Sequence, residues 1–395
     1  FRNTRAPWAY LPSARQDAGD FLHDKADGRF WEKGGCIMYD KRIGMSEMDR
    51  EWIRALPKVE LHCHLDGSMR LDTIRDFLAE MTMDTDGSKL PENDDAARAL
   101  LQAPADCASL DEYLKRFDLP VQCLQTAGHL KKAAYELVRD AAAENVVYLE
   151  MRFAPALSVH PGLGMDEVIG SVVNGMQEGK RDFGVYGGVI LCGMRHMDPK
   201  INIQVAETAG RFLGKGVCGV DLAGGEADFP PEIHRDMFKK AREMGIPITI
   251  HAGECGSSEN IRTAIQMGAS RIGHGIAAKG DPSILNMCRD QHVLLEMCPT
   301  SNLQTKAVND LSDHPMKDFL SEGLYVCINT DNRTVSATSM SREIELAMEK
   351  MGLGRMDIWN MMAYAADAAF APEDIRRKIH VKLEKFKEKT LTSEM

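Results

Sequence analysis

Five residues of types that bind metal ions stand at the ends of apolar segments that lie far apart in the chain. They are His62, His64, His251, His274 and Asp331. Side chains alternate along a β-strand, so His62 and His64 would point to the same face. Two imidazoles on one face, joined by a distant third and a carboxylate, suit a single Zn²⁺ ion with one position open for water. The set therefore predicts metal-assisted hydrolysis.

The residue types alone leave open which imidazoles bind the ion. Three nitrogen ligands and one oxygen favour Zn²⁺ or a similar ion. His251 could complete the set begun by His62 and His64, with Asp331 as the carboxylate. His274 would then lie nearby as a base or an electrostatic partner for the water. No Lys stands at the end of the fourth apolar segment, where a carbamylated lysine could bridge a second metal ion. We therefore expect one metal ion rather than two.

Two further features could serve the reaction. Glu254 follows His251 closely, where a carboxyl group could transfer a proton. A carboxylate favoured by the start of the next helix is the alternative explanation. Gly224 and Gly225 follow the fourth segment, and glycine lets a ligand approach the backbone, although a tight turn would also need it.

These residues need a scaffold in which the ends of several segments meet. Short segments rich in Val, Ile and Leu alternate with helix-like amphipathic segments from about residue 50 onward. The apolar segments are Val59–Leu65, Val146–Phe153, Tyr186–Gly193, Val217–Ala223, Ile246–His251, Arg271–Gly275, His292–Cys298 and Leu324–Asn329. Near-continuous apolarity is typical of parallel strands buried on both faces, so we predict an α/β fold, a (β/α)₈ TIM barrel. A doubly wound open sheet is the alternative, but no G-x-G-x-x-G sequence follows the first segment.

Helices are predicted between the strands, with additional ones in a long insertion after the first strand. The regular helices are Leu130–Glu144, Glu232–Met244, Ser258–Met267 and Asp281–Asp290. Within the insertion, Ser109–Gln125 has a helical pattern that includes Leu114 and Phe117. This helix could form an apolar lid over a pocket, or it could simply pack on the barrel rim.

Composition narrows the classes of partner and compartment. A net charge of −11 repels phosphate backbones and anionic lipid, so we expect no nucleic acid or membrane partner. No apolar stretch approaches the roughly 20 residues that span a bilayer. The 10 cysteines are irregularly spaced, which predicts free thiols and a cytoplasmic location. We expect residues 1–44 to be an irregular extension and residues 45–395 to be a single barrel domain. The histidines outside the metal set, His196 among them, are expected to be surface or packing residues.

From about residue 50 to residue 385, the motifs together resemble those of the adenosine deaminase family of metal-dependent barrels. The motifs are His62-x-His64-Leu65-Asp66-Gly67, Asp221-Leu222-Ala223-Gly224, His251-Ala252-Gly253-Glu254, Gly273-His274-Gly275, Cys298-Pro299-x-Ser301-Asn302 and Asn329-Thr330-Asp331. The resemblance implies hydrolytic deamination of adenosine, and of 2′-deoxyadenosine, to inosine and ammonia by a zinc-activated water in purine salvage.

The resemblance also assigns roles to individual residues. His62, His64, His251 and Asp331 would hold one Zn²⁺ per chain. His274 would orient the water and help to deprotonate it with assistance from Asp331, while Glu254 would protonate purine N1. His64 would also contact the substrate. Asp66 would bond the 5′-hydroxyl and Gly224 would bond purine N3. Leu114 and Phe117 would line the lid.

Asn332 departs from the family, which has a second aspartate at this position to bond purine N7. An amide can still donate a hydrogen bond to N7 through its NH₂ group. Asp66 favours a nucleoside over a free base, since relatives acting on adenine tend to carry Glu there. The alternatives are a deaminase of adenine or of a modified adenosine, and a barrel that only binds nucleosides or a partner.

Overall fold

The computed structural model describes residues 45–82, 90–104 and 106–390. The predicted extension, residues 1–44, lies outside the described residues. Within them, eight strands alternate with helices. The strands are β1 (Lys58–His64), β2 (Val146–Phe153), β3 (Tyr186–Met194), β4 (Val217–Ala223), β5 (Thr249–Ala252), β6 (Arg271–His274), β7 (Leu294–Met297) and β8 (Tyr325–Ile328).

The strands form two parallel sheets that follow chain order. One contains β1 to β4 and the other contains β5 to β8. Parallel bridges connect the sheets at both edges, between Val220 and Ile248 and between Cys63 and Asp331. The predicted α/β fold of the TIM-barrel type is confirmed.

The later strands are shorter than the apolar segments that predicted them. Ile246, Val293 and Leu324 precede β5, β7 and β8, yet each is at most 3% exposed. Apolar residues indicate burial and not strand structure as such, and the connections that lead into these strands are also buried. The pattern therefore located the strands but overestimated their length.

Helices cover the sheets and fill the insertion after β1. They are α1 (Glu47–Ala55), α2 (Leu71–Thr82), α3 (Asp94–Leu101), α4 (Leu110–Leu114), α5 (Asp118–Cys123), α6 (Ala127–Ala143), α7 (Met165–Phe183), α8 (Pro199–Phe212), α9 (Arg235–Glu243), α10 (Ser258–Gln266), α11 (Pro282–Asp290), α12 (Pro299–Gln304), α13 (Met316–Ser321), α14 (Met340–Lys350), α15 (Arg355–Ala368) and α16 (Glu373–Thr390). None of the described helices is long and apolar enough to cross a bilayer.

The insertion departs from the single helix predicted over Ser109–Gln125. It contains α4, a 3₁₀ turn at Lys115–Phe117, and α5. Ser109 caps α4 by accepting a hydrogen bond from the Glu112 N–H. Pro120 lacks an N–H and is tolerated only in the first turn of a helix, so the chain starts α5 there instead of extending α4. The predicted helix Glu232–Met244 is likewise divided, into a 3₁₀ turn at Pro231–His234 and α9.

Candidate metal centre and active site

The side chains expected to do chemistry lie at the carboxyl ends of four strands. β1 ends at His64 and β6 at His274, while His251 is the next-to-last residue of β5 and Asp331 follows β8. The carboxyl ends of parallel strands meet at one rim of a barrel. The backbone φ angles of His274 and Asp331 are 64° and 59°, in a region that residues with a Cβ seldom adopt. Sharp local turns thus bring both side chains into the lining of a cavity at this rim.

Four of these side chains bring ligand atoms close enough to share one ion. One atom from each of His62, His64, His251 and Asp331 lies within 4.8 Å of the others. The Nε2 atoms of His64 and His251 are 3.2 Å apart. Asp331 Oδ1 lies 3.3 Å from His62 Nε2 and 3.4 Å from His64 Nε2. Ligands about 2 Å from a tetrahedral Zn²⁺ ion are about 3.3 Å apart, so this spacing fits the metal.

Two of these imidazoles, His62 and His251, also have a carboxylate at Nδ1, as metal-binding histidines usually do. His62 Nδ1 is 2.9 Å from Glu296 Oε2, and His251 Nδ1 is 2.9 Å from Asp221 Oδ2. A carboxylate on Nδ1 holds a proton there and leaves Nε2 with a free lone pair for a metal. His62 Nε2 is buried and has no hydrogen-bond partner within the described part of the chain. The donor set therefore fits a single borderline cation such as Zn²⁺.

Arg152 connects the two carboxylates that support these ligands. Its guanidinium donates to Asp221 Oδ2 and to Glu296 Oε2, both at 2.8 Å, and all three side chains are fully buried. Arg152 comes from β2, Asp221 from β4 and Glu296 from β7, so the contact crosses the inside of the barrel. Sequence reasoning missed Arg152 and Glu296, because charged residues inside apolar strands carry no local sign of their partners.

Glu254 and His274 face each other beside the ligand set. His274 Nε2 is 3.6 Å from Glu254 Oε2. Burial, and then the negative charge of Asp331, raise the pKa of Glu254 to about 8. Burial also lowers the pKa of His274 well below its usual value. At neutral pH the pair consists of a carboxyl group that retains its proton and an uncharged imidazole.

Glu226, which the sequence did not single out, holds the turn that carries Glu254. Its carboxylate accepts hydrogen bonds from the backbone N–H groups of Gly253, Glu254 and Cys255, at 2.6, 2.9 and 3.2 Å. The Asn260 side chain donates to the same carboxylate at 2.8 Å. Because several donors converge on one buried acceptor, the position of Glu254 relative to the rim is well determined.

A cavity of about 490 Å³ opens above the ligand set, within the size range of small-molecule sites. It is lined by most of the predicted site residues: His64, Asp66, Leu114, Phe117, Gly224, His251, Glu254, His274, Asp331 and Asn332. His62 lies beneath them and is fully buried. Among the described residues that line the cavity there is neither Lys nor Arg.

Tyr113 and His196 are among the lining residues that were not anticipated as site residues. Tyr113 in α4 accepts a hydrogen bond from Asn332 Nδ2 at 2.9 Å, and its hydroxyl is 2.7 Å from Ser336 Oγ. The helical pattern predicted over Ser109–Gln125 includes Tyr113, but it gives no sign of these hydrogen bonds. His196, expected to be a surface or packing residue, is exposed but also lines the cavity.

The chain is similar to known adenosine deaminases over most of its length. The family model described as adenosine deaminase matches residues 57–386. An adenosine deaminase from Enterococcus faecalis is 42% identical over 337 residues, which cover 85% of this chain and 98% of the relative. Another from Vibrio atlanticus is 43% identical over 332 residues, covering 82% of this chain and 97% of the relative.

Solved structures share the fold at lower identity. An adenine deaminase from Arthrobacter aurescens superposes with a TM-score of 0.77 at 23% identity, covering 84% of this chain and 99% of that one. The N6-methyl-AMP deaminase from Arabidopsis thaliana superposes with a TM-score of 0.73 at 25% identity. The match covers 85% of this chain and 98% of that one.

Proposed function

The chain belongs to the adenosine deaminase family and is an enzyme that deaminates adenosine; we propose that it releases inosine and ammonia using one Zn²⁺ ion per chain. We also propose 2′-deoxyadenosine as a second substrate. The observation that carries the mechanism is the convergence at one rim of the ligand set, the protonated Glu254 and a cavity whose described lining contains no Lys or Arg.

The metal would be held by the Nε2 atoms of His62, His64 and His251 and by the Asp331 carboxylate. Their spacing and the free lone pair on His62 support this assignment. Three nitrogen donors and one oxygen favour Zn²⁺ over Mg²⁺ or Ca²⁺, which prefer oxygen ligands. When bound, a zinc ion lowers the pKa of water to about 7 and so supplies a nucleophile at neutral pH.

Glu254 would serve as the proton donor to purine N1. A buried carboxyl group with a pKa of about 8 still carries its proton at neutral pH. Protonation of N1 draws electrons from C6 and makes that carbon open to attack by water. Asp331 is the opposite kind of carboxylate, because contact with the surrounding imidazoles outweighs burial and holds its pKa well below the usual value. It stays ionised and can accept the proton that leaves the water, while His274 orients that water.

The remaining contacts would position a nucleoside. The backbone N–H of Gly224, in a turn with φ of 104°, would meet purine N3. Asp66 would accept a hydrogen bond from the ribose 5′-hydroxyl. Burial raises the pKa of Asp66 only to about 6, so its carboxyl group is mostly ionised at neutral pH. Leu114 and Phe117 would cover the apolar faces of the ligand. Asn332 uses one amide N–H on Tyr113, and its second N–H would remain for purine N7.

The charge of the cavity favours a nucleoside over a nucleotide. A phosphate group would normally be met by Arg or Lys. The described lining instead contributes Asp66 and Asp118 without either cation. Deamination of adenine or of a modified adenosine is the alternative, and turnover of adenine in preference to adenosine would support it.

We also propose that residues 45–395 form one barrel domain, since the family match spans residues 57–386. A cytoplasmic location is proposed on the basis of the cysteines. Those that the structure describes are free thiols, most of them buried. Free buried thiols are typical of a reducing compartment.

The decisive measurement is the change in ultraviolet absorbance as adenosine is converted to inosine, with and without a chelator. The Glu254→Gln variant should retain about one zinc per chain, yet its kcat should fall by about 10²–10⁴-fold, because an amide cannot supply the N1 proton. Wild-type kcat in this variant would remove Glu254 from the proposed chemistry.

A further inference from the structure

His274 is held by a side chain at Nδ1, the ring nitrogen opposite the one that faces Glu254. Its Nδ1 atom lies 3.0 Å from Nδ2 of Asn302, and both residues are almost fully buried. An amide nitrogen can only donate, so a bond between these two atoms requires an unprotonated Nδ1. Such a bond requires that Asn302 presents its nitrogen, and not its oxygen, to the imidazole.

The other end of the Asn302 amide shows which atom faces the imidazole. Its Oδ1 atom receives the backbone N–H of Cys298, at 3.3 Å. A backbone N–H has no acceptor capacity, so the atom facing it must be the oxygen. The amide is therefore oriented by the backbone, and Nδ2 faces His274.

A second imidazole meets the same oxygen and agrees with this orientation. His314 Nε2 lies 3.2 Å from Asn302 Oδ1, while His314 Nδ1 accepts the backbone N–H of Met316 at 3.3 Å. Burial, with a contribution from Lys279, lowers the pKa of His314 to about 3, so the ring is neutral. With Nδ1 as acceptor, its one proton must be on Nε2, where it bonds to the amide oxygen.

We propose that Asn302, oriented by Cys298 and His314, is a positioning residue that fixes His274 as the tautomer with its proton on Nε2. His274 would then donate a hydrogen bond into the cavity. It would orient the attacking water and stabilise the oxygen that gains negative charge at C6. In this form it cannot take a proton from water at Nε2, contrary to the base role that the family resemblance implied. The inference rests on the proposed function, and it leaves Asp331 to accept that proton.

The barrel contains a second pair of the same kind that serves as an internal reference. Asn202 Nδ2 lies 3.0 Å from His234 Nδ1, and Asn202 Oδ1 accepts the backbone N–H of Met194 at 3.1 Å. On the far side of the ring, His234 Nε2 is 2.9 Å from the carbonyl oxygen of Arg195, which demands a proton on Nε2. Here the same arrangement produces the same tautomer, but the proton is used by the backbone and not by the cavity.

The test compares Asn302→Asp with Asn202→Asp. A carboxylate cannot donate to Nδ1 and instead attracts a proton there, so Asn302→Asp should move the His274 proton from Nε2 to Nδ1. We expect kcat for adenosine to fall by about 10²-fold or more, the usual cost of removing a hydrogen-bond donor from the reacting oxygen, with little change in KM. Asn202→Asp also places a carboxylate beside a buried imidazole, and its kcat should stay near the wild-type value.

Nitrogen-15 spectra of zinc-loaded enzyme labelled in histidine report the tautomer directly, with His274 assigned by its loss in His274→Gln. The wild-type spectrum should show an unprotonated Nδ1 and a protonated Nε2, and it decides the question even if Asn302→Asp does not fold. A wild-type Nδ1 proton, unchanged kcat in folded Asn302→Asp, or an equal loss in Asn202→Asp would each overturn the inference. Failure of the Glu254→Gln test would instead refute the proposed function, without moving the His274 proton.

Discussion

The barrel buries carboxylates in two regions that differ in the cations around them. The interior ion-pair network consists of Glu150, Arg152, Asp221, Arg271 and Glu296 and lies beneath the rim. The rim cluster consists of the metal-ligand set, Glu254 and His274. Glu296 belongs to the first region and Glu254 to the second, and each is less than 10% exposed. Their protonation states are nevertheless opposite.

In the interior, guanidinium groups keep the carboxylates ionised. Burial raises the pKa of Glu296, but the charges of Arg152 and Arg271 outweigh it and hold the pKa well below the usual value. Glu254 has no such counterion among the described residues that line the cavity, so burial prevails and the proton is retained. A nearby cation, and not burial alone, therefore decides whether a buried carboxyl group is ionised or keeps its proton.

The largest expected effect comes from removing the rim carboxylate that we propose as a metal ligand. Asp331→Ala deletes the oxygen shared by His62 and His64, so bound zinc and adenosine turnover should both fall to background. Metal content by mass spectrometry and the ultraviolet assay check this. Full zinc occupancy in Asp331→Ala would contradict the assignment of Asp331 as a ligand.

A smaller effect is expected from breaking the interior ion-pair network. Arg152→Met leaves Asp221 and Glu296 buried without their shared guanidinium, which should destabilise the fold by about 3–5 kcal/mol. Those carboxylates orient His251 and His62, so zinc affinity should also fall by about 10–100-fold.

Arg211→Met provides the matched control for that variant. Arg211 pairs with Asp166 through a guanidinium–carboxylate contact of the same kind, but both side chains are more than half exposed. Loss of an exposed pair costs about 0–1 kcal/mol, so urea unfolding should clearly separate the two variants. Equal loss of unfolding free energy in the two variants would mean that burial does not increase the cost of breaking the Arg152 ion pairs.

The smallest effect is the dependence of rate on pH. Because Glu254 must be protonated to donate, kcat should hold at lower pH and decline as pH rises through the pKa of Glu254, by about tenfold per unit. That pKa is about 8 without a cation, and a bound cation lowers it, so the decline should begin at or below pH 8. The residual activity of Glu254→Gln should lack this alkaline decline. If the decline persists in that variant, a group other than Glu254 causes it.

Much of the site could be predicted from the residues alone. In a repeating strand–helix chain the carboxyl ends of the strands must meet, so metal-binding residues placed after successive apolar segments had to converge at one rim. His62, His64, His251 and Asp331 were therefore recognisable without coordinates. The role of Glu254 was suggested by its closeness in sequence to His251.

The protonation state of each group could not be predicted from the sequence, because it depends on contacts between residues that are distant in the chain. Glu296 and Arg152 are 144 positions apart, and Glu226 reaches Gly253 across a gap of 27. The Nε2 proton that we infer for His274 depends on a backbone N–H at Cys298 and on a second imidazole at His314. A strand order specifies where side chains end up, but hydrogen bonds and pKa values depend on distance, direction and burial in the folded chain. No local pattern in the sequence encodes these.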